Sequence, residues 1–295
     1  MLFSLWIMKA TLFYIGLFFS IAVFSQQRPA TGLKPTVNNK RFVDHERVVE
    51  KPSATKKPLE ERGEAYGRKQ QWDKAAGCYK QLVERYPGVA DYHYKYGGFL
   101  GMMALKNKFK AMGLMGDIKK SFKKAAELDA GHTGARRALV ELYMQLPGIL
   151  GGSRKKALHY AEELQEIAKP EGYLAKGYIY EYDRKPEKAK KYYILALQHL
   201  NGIKELSRKQ LHYKIGQLCG DYAMKLDDGL LHLQKYIQNT TSFYETELSV
   251  AYCAMAKLYR LKKEKAKAME WIDKALNDAP GFKEALKEKA LIKTL

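Results

Sequence analysis

Small and large side chains recur in this chain at a regular spacing. Gly63 and Gly97 are separated by about 34 residues, the period of a repeating two-helix unit. Each glycine is followed one helical turn later by a large side chain, Tyr66 or Leu100. Small residues let two helices approach to about 8–10 Å, and large ones fill the space between one helix pair and the next. Because one helix pair cannot cover its own apolar face, several pairs must stack, which predicts an all-α chain of helix hairpins.

The residues at these recurring positions resemble those of the tetratricopeptide repeat family. The matching residues are Gly63, Tyr66, Trp72, Ala75, Tyr79, Leu82 and Pro87 in the first unit, Gly177, Tyr180, Ala189, Tyr193 and Ala196 in the fourth, and Tyr252, Ala256, Tyr259, Ala268, Ile272, Ala275 and Pro280 in the last. The second, third and fifth units are degenerate, but their apolar residues still recur at i, i+3, i+4 and i+7.

The resemblance implies a right-handed superhelical α-solenoid of about six helix-turn-helix units, with a capping helix at the C-terminus. The solenoid is expected to occupy residues 56–295. The capping helix is expected over Phe282–Leu295, with an apolar stripe formed by Ala285, Leu286, Ala290 and Leu291.

Residues 1–25 have the pattern of a secretory signal peptide. Lys9 precedes an apolar run from Thr11 to Phe24, and Ser25 follows at the expected cut. A short positive region, an apolar stretch and small residues near the cut are what a signal peptidase recognises. The ending resembles exported proteins of Bacteroidetes-type Gram-negative bacteria, which implies export to the periplasm. If the segment is not cleaved, it anchors the protein in the membrane, and it is the only membrane contact that the sequence predicts.

Residues 26–55 are predicted to form a disordered basic tether. The segment contains Pro29, Pro35 and Pro52, mixed charge and no sustained apolar period. Such a composition cannot bury enough apolar surface to offset the entropy lost on ordering. Its basic residues suit an anionic surface, but plain spacing from the membrane or cell wall is the favoured role.

The chain is strongly basic. Its 52 Lys and Arg residues against 32 Asp and Glu residues give a formal net charge of +20. This surplus favours acidic proteins, anionic glycans, lipid headgroups or nucleic acid as partners, without choosing among them. No specific nucleic-acid motif is present.

The sequence offers no catalytic, cofactor or metal motif. Its seven histidines are scattered, and its three cysteines are widely spaced among apolar helical positions, where buried thiols are expected. His159 and Glu163 lie one turn apart, which favours an ordinary surface pair over metal ligation. The sequence therefore predicts a protein that is not an enzyme and needs no cofactor.

In the tetratricopeptide family, the first helix of each unit lines a concave face where peptides or helices bind. By this resemblance, the candidate binding residues are Glu64, Arg68, Tyr94, Arg137, Glu141, Tyr178, Glu181, Tyr182 and Lys257, and Glu60, Gly98, Met144, Leu174 and Arg260 are also expected to be exposed. Cytosolic co-chaperone members carry a Lys/Asn clamp for a C-terminal carboxylate, but Glu60 and Glu64 stand where that clamp would begin. Tyr178 and Tyr182 either bind a partner or pack under the fifth unit.

Two insertions depart from the repeat pattern, at about residues 101–117 and 145–153. Both fall at the turn between the two helices of a unit, and such turns share one edge of a solenoid, so the insertions are expected to touch. The candidate residues of this edge are Lys106, Lys108, Lys110, Gly151, Gly152, Ser153 and Arg154. The helix start after Gly152 is suited to an anion. Alternatively, the glycines only let the neighbouring hairpin pass close by.

The leading interpretation is a non-enzymatic scaffold or adaptor of the bacterial envelope. It binds a peptide or helix of another envelope protein in the concave groove. The alternative is a protein that binds an anionic non-protein ligand (a glycan, a lipid headgroup or a nucleic acid) through its basic surface.

Overall fold

The computed structural model describes residues 56–200, 209–240 and 245–295. The predicted signal peptide (1–25) and tether (26–55) lie outside these residues. Within the described ranges, the regular elements are helices and no strand is present, as the all-α prediction requires. The helices are α1 (Lys56–Arg68), α2 (Trp72–Arg85), α3 (Ala90–Lys106), α4 (Lys108–Leu128), α5 (Thr133–Gln145), α6 (Arg154–Ile167), α7 (Lys169–Tyr182), α8 (Pro186–Gln198), α9 (Lys209–Asp221), α10 (Leu226–Gln238), α11 (Glu245–Leu261), α12 (Lys265–Asp278) and α13 (Lys283–Lys293).

The chain divides into two compact units, one up to Ala138 and one from Leu139 onwards. In the first unit, α1 to α4 pack in chain order, each against the next. In the second unit, α6 packs on α7 and α7 packs on α8. Each helix from α9 to α12 packs on the one that follows it. Helix α9 also contacts α11, and α11 contacts α13, so the first helices of adjacent hairpins touch. This stacking of helix hairpins is that of an α-solenoid, and the right-handed superhelix stays a prediction.

Repeat glycines set the close approach of the two helices in a hairpin. A Cβ atom added to Gly177 would lie 2.2 Å from the ring of Tyr193, closer than any real contact allows. Three further hairpins use the same arrangement, in which the added Cβ would lie 2.8 Å from Tyr79 at Gly63, 3.0 Å from Phe122 at Gly97 and 2.3 Å from Leu233 at Gly216. The predicted pairing of small residues with large ones is therefore present in the structure.

The extra residues of the second repeat lengthen its helices. Gly97 and its contact Phe122 are further apart along the chain than Gly63 and its contact Tyr79, because the insertion lies between them. The inserted residues extend α3 to 17 residues and α4 to 21, with Asn107 alone between the two helices. The predicted insertion thus forms helix on both sides of a tight turn.

The extra residues of the third repeat form a loop. Residues 146–153 connect α5 with α6 and contain a short 3-10 turn, Gly148–Leu150. The corresponding connection between α7 and α8 is only residues 183–185. The third repeat therefore carries its predicted insertion as a longer connection between its two helices.

The capping helix is present as α13, but its predicted apolar stripe is wrong in part. Ala285 and Ile292 are buried, whereas Leu286 and Leu291 are about half exposed. Helix α13 packs on α11 and α12 along one side, so the residues spaced by three or four positions from Ala285 are buried. One of these is Glu288, whose carboxylate is buried because it pairs with an arginine of α11.

Candidate partner-binding face

Polar contacts join the first helices of neighbouring hairpins. Three of them are Lys95 Nζ to Glu64 Oε1 at 2.7 Å, Gln145 Nε2 to Tyr178 Oη at 2.9 Å and Lys257 Nζ to Asp221 Oδ1 at 2.7 Å. The partners are separated by 31, 33 and 36 residues, which is about one repeat. Glu64 and Lys257, two of the residues predicted to bind a partner, therefore also hold adjacent hairpins together.

The first unit leaves only part of its predicted binding residues accessible. Arg68 is exposed at the end of α1, and Arg137 is half-buried. The expectation that Tyr94 is exposed is wrong, because its ring is 6% exposed and packs 4.8 Å from that of His132 and 5.9 Å from that of Phe122. The turn that contains His132 covers this tyrosine. Gly98, also expected at the surface, is buried.

In the second unit, Tyr178 and Tyr182 lie side by side on α7. Their ring centroids are 6.3 Å apart, and Tyr182 is 40% exposed. Burial raises the pKa of Tyr178 well above its usual range, and the nearby carboxylate of Glu141 raises it further. The phenol of Tyr178 is therefore neutral, and its oxygen accepts the hydrogen bond from Gln145.

Two residues of α5 are less accessible than the sequence suggested. Glu141 is 5% exposed and Met144 is 7% exposed, although both were expected at the surface. Tyr178 of α7 lies against this part of α5, as its hydrogen bond with Gln145 and its interaction with Glu141 indicate. Glu141 thus lies near Tyr178 without being open to solvent.

A half-buried lysine that the sequence analysis did not single out lies among these residues. Burial lowers the pKa of Lys214 on α9, and the carboxylates of Glu181, Asp221 and Glu141 oppose this shift. Glu181 also accepts a hydrogen bond from Tyr193 Oη at 2.5 Å. Lys214 follows Glu181 by one repeat, so the period could have located it, but the fifth unit is too degenerate for its register to be read with certainty from the sequence.

These residues form one cluster of the second unit, which we call the tyrosine face: Tyr182 is exposed, Tyr178, Glu181 and Lys214 are half-buried, and Glu141 is buried. Its members come from α5, α7 and α9, each the first helix of a hairpin. An accessible aromatic ring beside a lysine and several carboxylates suits the binding of a peptide by stacking, hydrogen bonds and ion pairs. The arrangement contains no nucleophile activated by a neighbouring base.

The predicted insertion residues lie on two different units. Lys106 is exposed at the end of α3 in the first unit, and Lys108 and Lys110 belong to the first turn of α4. Gly151, Gly152 and Ser153 lie in the loop before α6, in the second unit. Arg154 opens α6, and its Nε donates to Asp183 Oδ2 at 2.5 Å. The predicted contact between the two insertions stays a prediction.

The remaining candidate groups are ordinary structural residues. His159 Nε2 lies 3.0 Å from Glu163 Oε1 in a surface pair, as predicted. Cys78 and Cys219 are buried, whereas Cys253 is half-buried, and all three thiols are free. Over the described ranges, no three His, Cys, Asp or Glu side chains are grouped so as to hold a metal ion. None of the helices in these ranges has the length and apolar character needed to span a bilayer.

Comparison with known proteins identifies the repeat. A family model described as "Tetratricopeptide repeat" matches residues 170–198 and 249–280. These segments correspond to the hairpins α7–α8 and α11–α12. A search of curated protein sequences finds no match.

Solved structures with a similar fold include the Cut9 and Hcn1 hetero-tetramer of the APC/C. That match has a TM-score of 0.53 and 16% identity, and it covers 80% of this chain and 42% of the other. YrrB, described as a TPR protein with an unusual peptide-binding site, matches with a TM-score of 0.40 and 17% identity over 73% of this chain and 100% of the other. A tetratricopeptide repeat protein from Parabacteroides merdae matches with a TM-score of 0.40 and 16% identity over 81% and 85% of the two chains. At such identities, a structural likeness concerns the fold alone.

Proposed function

Because this chain is a tetratricopeptide repeat protein, we propose that it is an envelope scaffold that holds a peptide or helix of another protein against its tyrosine face. Tetratricopeptide repeat proteins generally bind other proteins or peptides and are typically non-enzymatic scaffolds. Our proposal goes further in two respects, because it names the tyrosine face as the binding site and the envelope as the location. Both rest on residues of this chain.

The observation that carries the proposal is the pair of Tyr178 and Tyr182. Tyr182 keeps 40% of its surface exposed, although its helix, α7, packs against both α6 and α8. Tyrosine is one of the residue types that most often dominate binding energy at protein interfaces. Glu181 interacts with Tyr178, and Lys214 interacts with Glu181, so the cluster supplies one charge of each sign for orienting a bound segment.

The envelope location rests on residues 1–25. Their short positive region and apolar run are typical of a secretory signal, which directs the chain to the periplasm. We propose that the mature protein acts there as an adaptor.

A binding experiment tests the tyrosine face directly. Peptides selected from a displayed random library against the full chain are titrated by fluorescence anisotropy against wild type and against Tyr182→Ser. We expect the substitution to weaken binding by roughly 30-fold or more, since truncating an interface aromatic typically costs about 2 kcal/mol or more. High salt should change the affinity only modestly if contact with the ring dominates.

The matched control is Tyr173→Ser on the same helix. Tyr173 precedes Tyr182 by nine residues, which places it about 180° away around α7. Its ring packs 5.2 Å from that of His199 and 6.4 Å from that of Tyr192. Equal losses for the two variants, or no loss for Tyr182→Ser, would remove the tyrosine face as the binding site.

A further inference from the structure

The loop between α5 and α6 holds an apolar side chain out in solvent. Ile149 is 94% exposed, more than any other large hydrophobic side chain in the described ranges. The loop is nevertheless well ordered by its own backbone. Gly152 N–H donates to Pro147 O at 3.0 Å, and Ser153 N–H donates to Tyr143 O at 2.9 Å. Ile149 therefore stands at the tip of a fixed turn.

Two glycines make this turn possible. Gly151 adopts a φ of 86°, in the left-handed region that side chains disfavour. A Cβ atom at Gly152 would lie 1.7 Å from the carbonyl oxygen of Leu146, so only glycine fits there. Ser153 then caps α6 by accepting a hydrogen bond from the Lys156 amide at 3.3 Å. The sequence of the loop thus specifies a rigid turn that projects Ile149.

Three basic residues follow the tip in the chain, where the loop ends and α6 begins. Helix α6 begins with Arg154, Lys155 and Lys156, all exposed, and has no acidic residue in its first turn. Cations at a helix N-terminus are unfavourable, because they face the positive end of the helix dipole. Arg154 offsets part of this cost by pairing with Asp183 and lying over the ring of Tyr180, and Lys156 lies over the ring of Tyr143, while all three side chains keep enough exposure to meet a charged surface.

The turn between α7 and α8 extends this basic surface. Arg154 reaches that turn through its hydrogen bond with Asp183. We define the loop edge as Ile149 together with six basic residues, Arg154, Lys155, Lys156, Arg184, Lys185 and Lys188. Only Asp183 and Glu187 offset these charges within the two segments, which leaves the edge with a surplus of four positive charges.

We propose that the loop edge docks reversibly onto an anionic membrane surface. Ile149 enters the boundary between headgroups and acyl chains, while the basic side chains contact lipid phosphates. A nucleic acid or an acidic glycan would satisfy the cations but would offer no apolar layer for a protruding isoleucine. A membrane offers both, with the apolar layer about 5–10 Å below the charged surface. The site lies outside the tyrosine face and does not depend on it.

The expected strength follows from these groups. Full burial of an isoleucine side chain favours the bound state by roughly 10- to 100-fold. Each lysine or arginine near an anionic leaflet adds about fivefold. Together they support reversible binding that is sensitive to salt.

A local fluorescent reporter tests the proposal in the full chain. Ile149→Cys is labelled with the fluorophore NBD and mixed with vesicles of phosphatidylglycerol and phosphatidylcholine, or of phosphatidylcholine alone. Burial raises the pKa of the Cys219 and Cys253 thiols to about 12, and Cys78 is buried, so the introduced thiol reacts first. The matched control carries the label at Leu231→Cys, an exposed apolar position in the middle of α10.

We expect the label at position 149 to shift to the blue on anionic vesicles and to be quenched by nitroxides on the acyl chains. It should respond little to phosphatidylcholine alone, and the label at position 231 should not respond. Lys155→Ser combined with Lys185→Ser should weaken the affinity for anionic vesicles by about 25-fold, as measured by titration of the label at position 149.

Three results would overturn the proposal. The first is an unchanged spectrum at position 149 in the presence of anionic vesicles. The second is an equal response of both labels, which would mean that another part of the chain binds the vesicle. The third is binding of heparin or duplex DNA that needs Lys155 and Lys185 while the label at position 149 stays in water, which would assign the edge to a soluble polyanion.

Discussion

The contact between Gly177 and Tyr193 fixes how closely α7 and α8 approach. Tyr193 is 1% exposed, so its ring cannot move away to admit a larger neighbour. Gly177→Ala should lower the free energy of unfolding by roughly 1–3 kcal/mol through overpacking, although alanine is the better helix former. Urea denaturation followed by circular dichroism measures the change.

Gly113→Ala is the control for this prediction. Gly113 lies in α4, and a Cβ atom there would have no neighbour within 4 Å. The substitution should raise stability by about 0.5–1 kcal/mol, because only helix propensity changes. A stabilising Gly177→Ala would mean that this glycine does not set the hairpin packing.

A buried pair of histidines couples stability to pH. His212 Nδ1 and His232 Nδ1 are 2.8 Å apart between α9 and α10, and both residues are buried. Burial lowers the pKa of His232 to about 4, with His212 and Lys235 adding to the effect, and burial also lowers the pKa of His212. The unfolded chain therefore binds protons that the folded chain excludes.

Stability should consequently fall as the pH is lowered from about 6.5 towards 4. The slope contributed by each histidine reaches at most about 1.4 kcal/mol per pH unit. His232→Asn removes one titrating group and keeps an amide near the position of Nδ1, so the urea midpoint should vary less over this range. Leu231→Asn, at an exposed position of α10 that carries no titrating group, should leave the pH dependence as it is in wild type. An unaltered pH profile for His232→Asn would contradict this account.

At the scale of elements, a largely buried ion pair helps to hold α13 on α11. Arg260 of α11 donates through Nε to Glu288 Oε1 at 2.5 Å, and the side chains are 19% and 10% exposed. Arg260→Met would leave the Glu288 carboxylate without this partner in a largely buried position, at a cost of roughly 1.5–3 kcal/mol. Hydrogen exchange should then accelerate in Lys283–Lys293 before it does elsewhere, because a terminal helix has neighbours on one side only.

Lys124→Met provides the comparison. Lys124 pairs with Glu127 at 4.0 Å on an exposed surface, where such pairs contribute little. Its exchange rates should match those of wild type. If Arg260→Met behaved in the same way, the ion pair would have no part in holding α13.

The elements show what the sequence could and could not predict. Residues that pack within a hairpin, such as Gly177 with Tyr193, are separated by a fixed number of positions, so periodicity locates them. Whether a helical residue is exposed depends on which other segment packs over it, and such packing joins residues that are far apart in the sequence. The exposure of Tyr94 and Glu141 was therefore misjudged, since His132 lies in the turn before α5 and Tyr178 lies on α7, each outside the helix that it covers. Lys214 was missed because Cys219 and Leu233 occupy the repeat positions that are aromatic in the first and fourth units, which obscures the register of its hairpin.

At the scale of the whole molecule, the two compact units provide different surfaces. The first unit buries Tyr94 and uses Glu64 to bind Lys95, so its predicted contacts serve its own packing. The second unit keeps Tyr182 accessible and carries the loop edge. The proposed partner and the proposed membrane contact both belong to this second unit.

Site-specific photo-crosslinking in living cells tests the central claim most directly. The photoreactive residue p-benzoylphenylalanine replaces Tyr182 in one strain and Tyr173 in another. A scaffold that holds a partner on the tyrosine face predicts a discrete crosslinked protein from position 182, recovered in the envelope fraction, and none from position 173. No crosslink from position 182, or the same products from both positions, would contradict it.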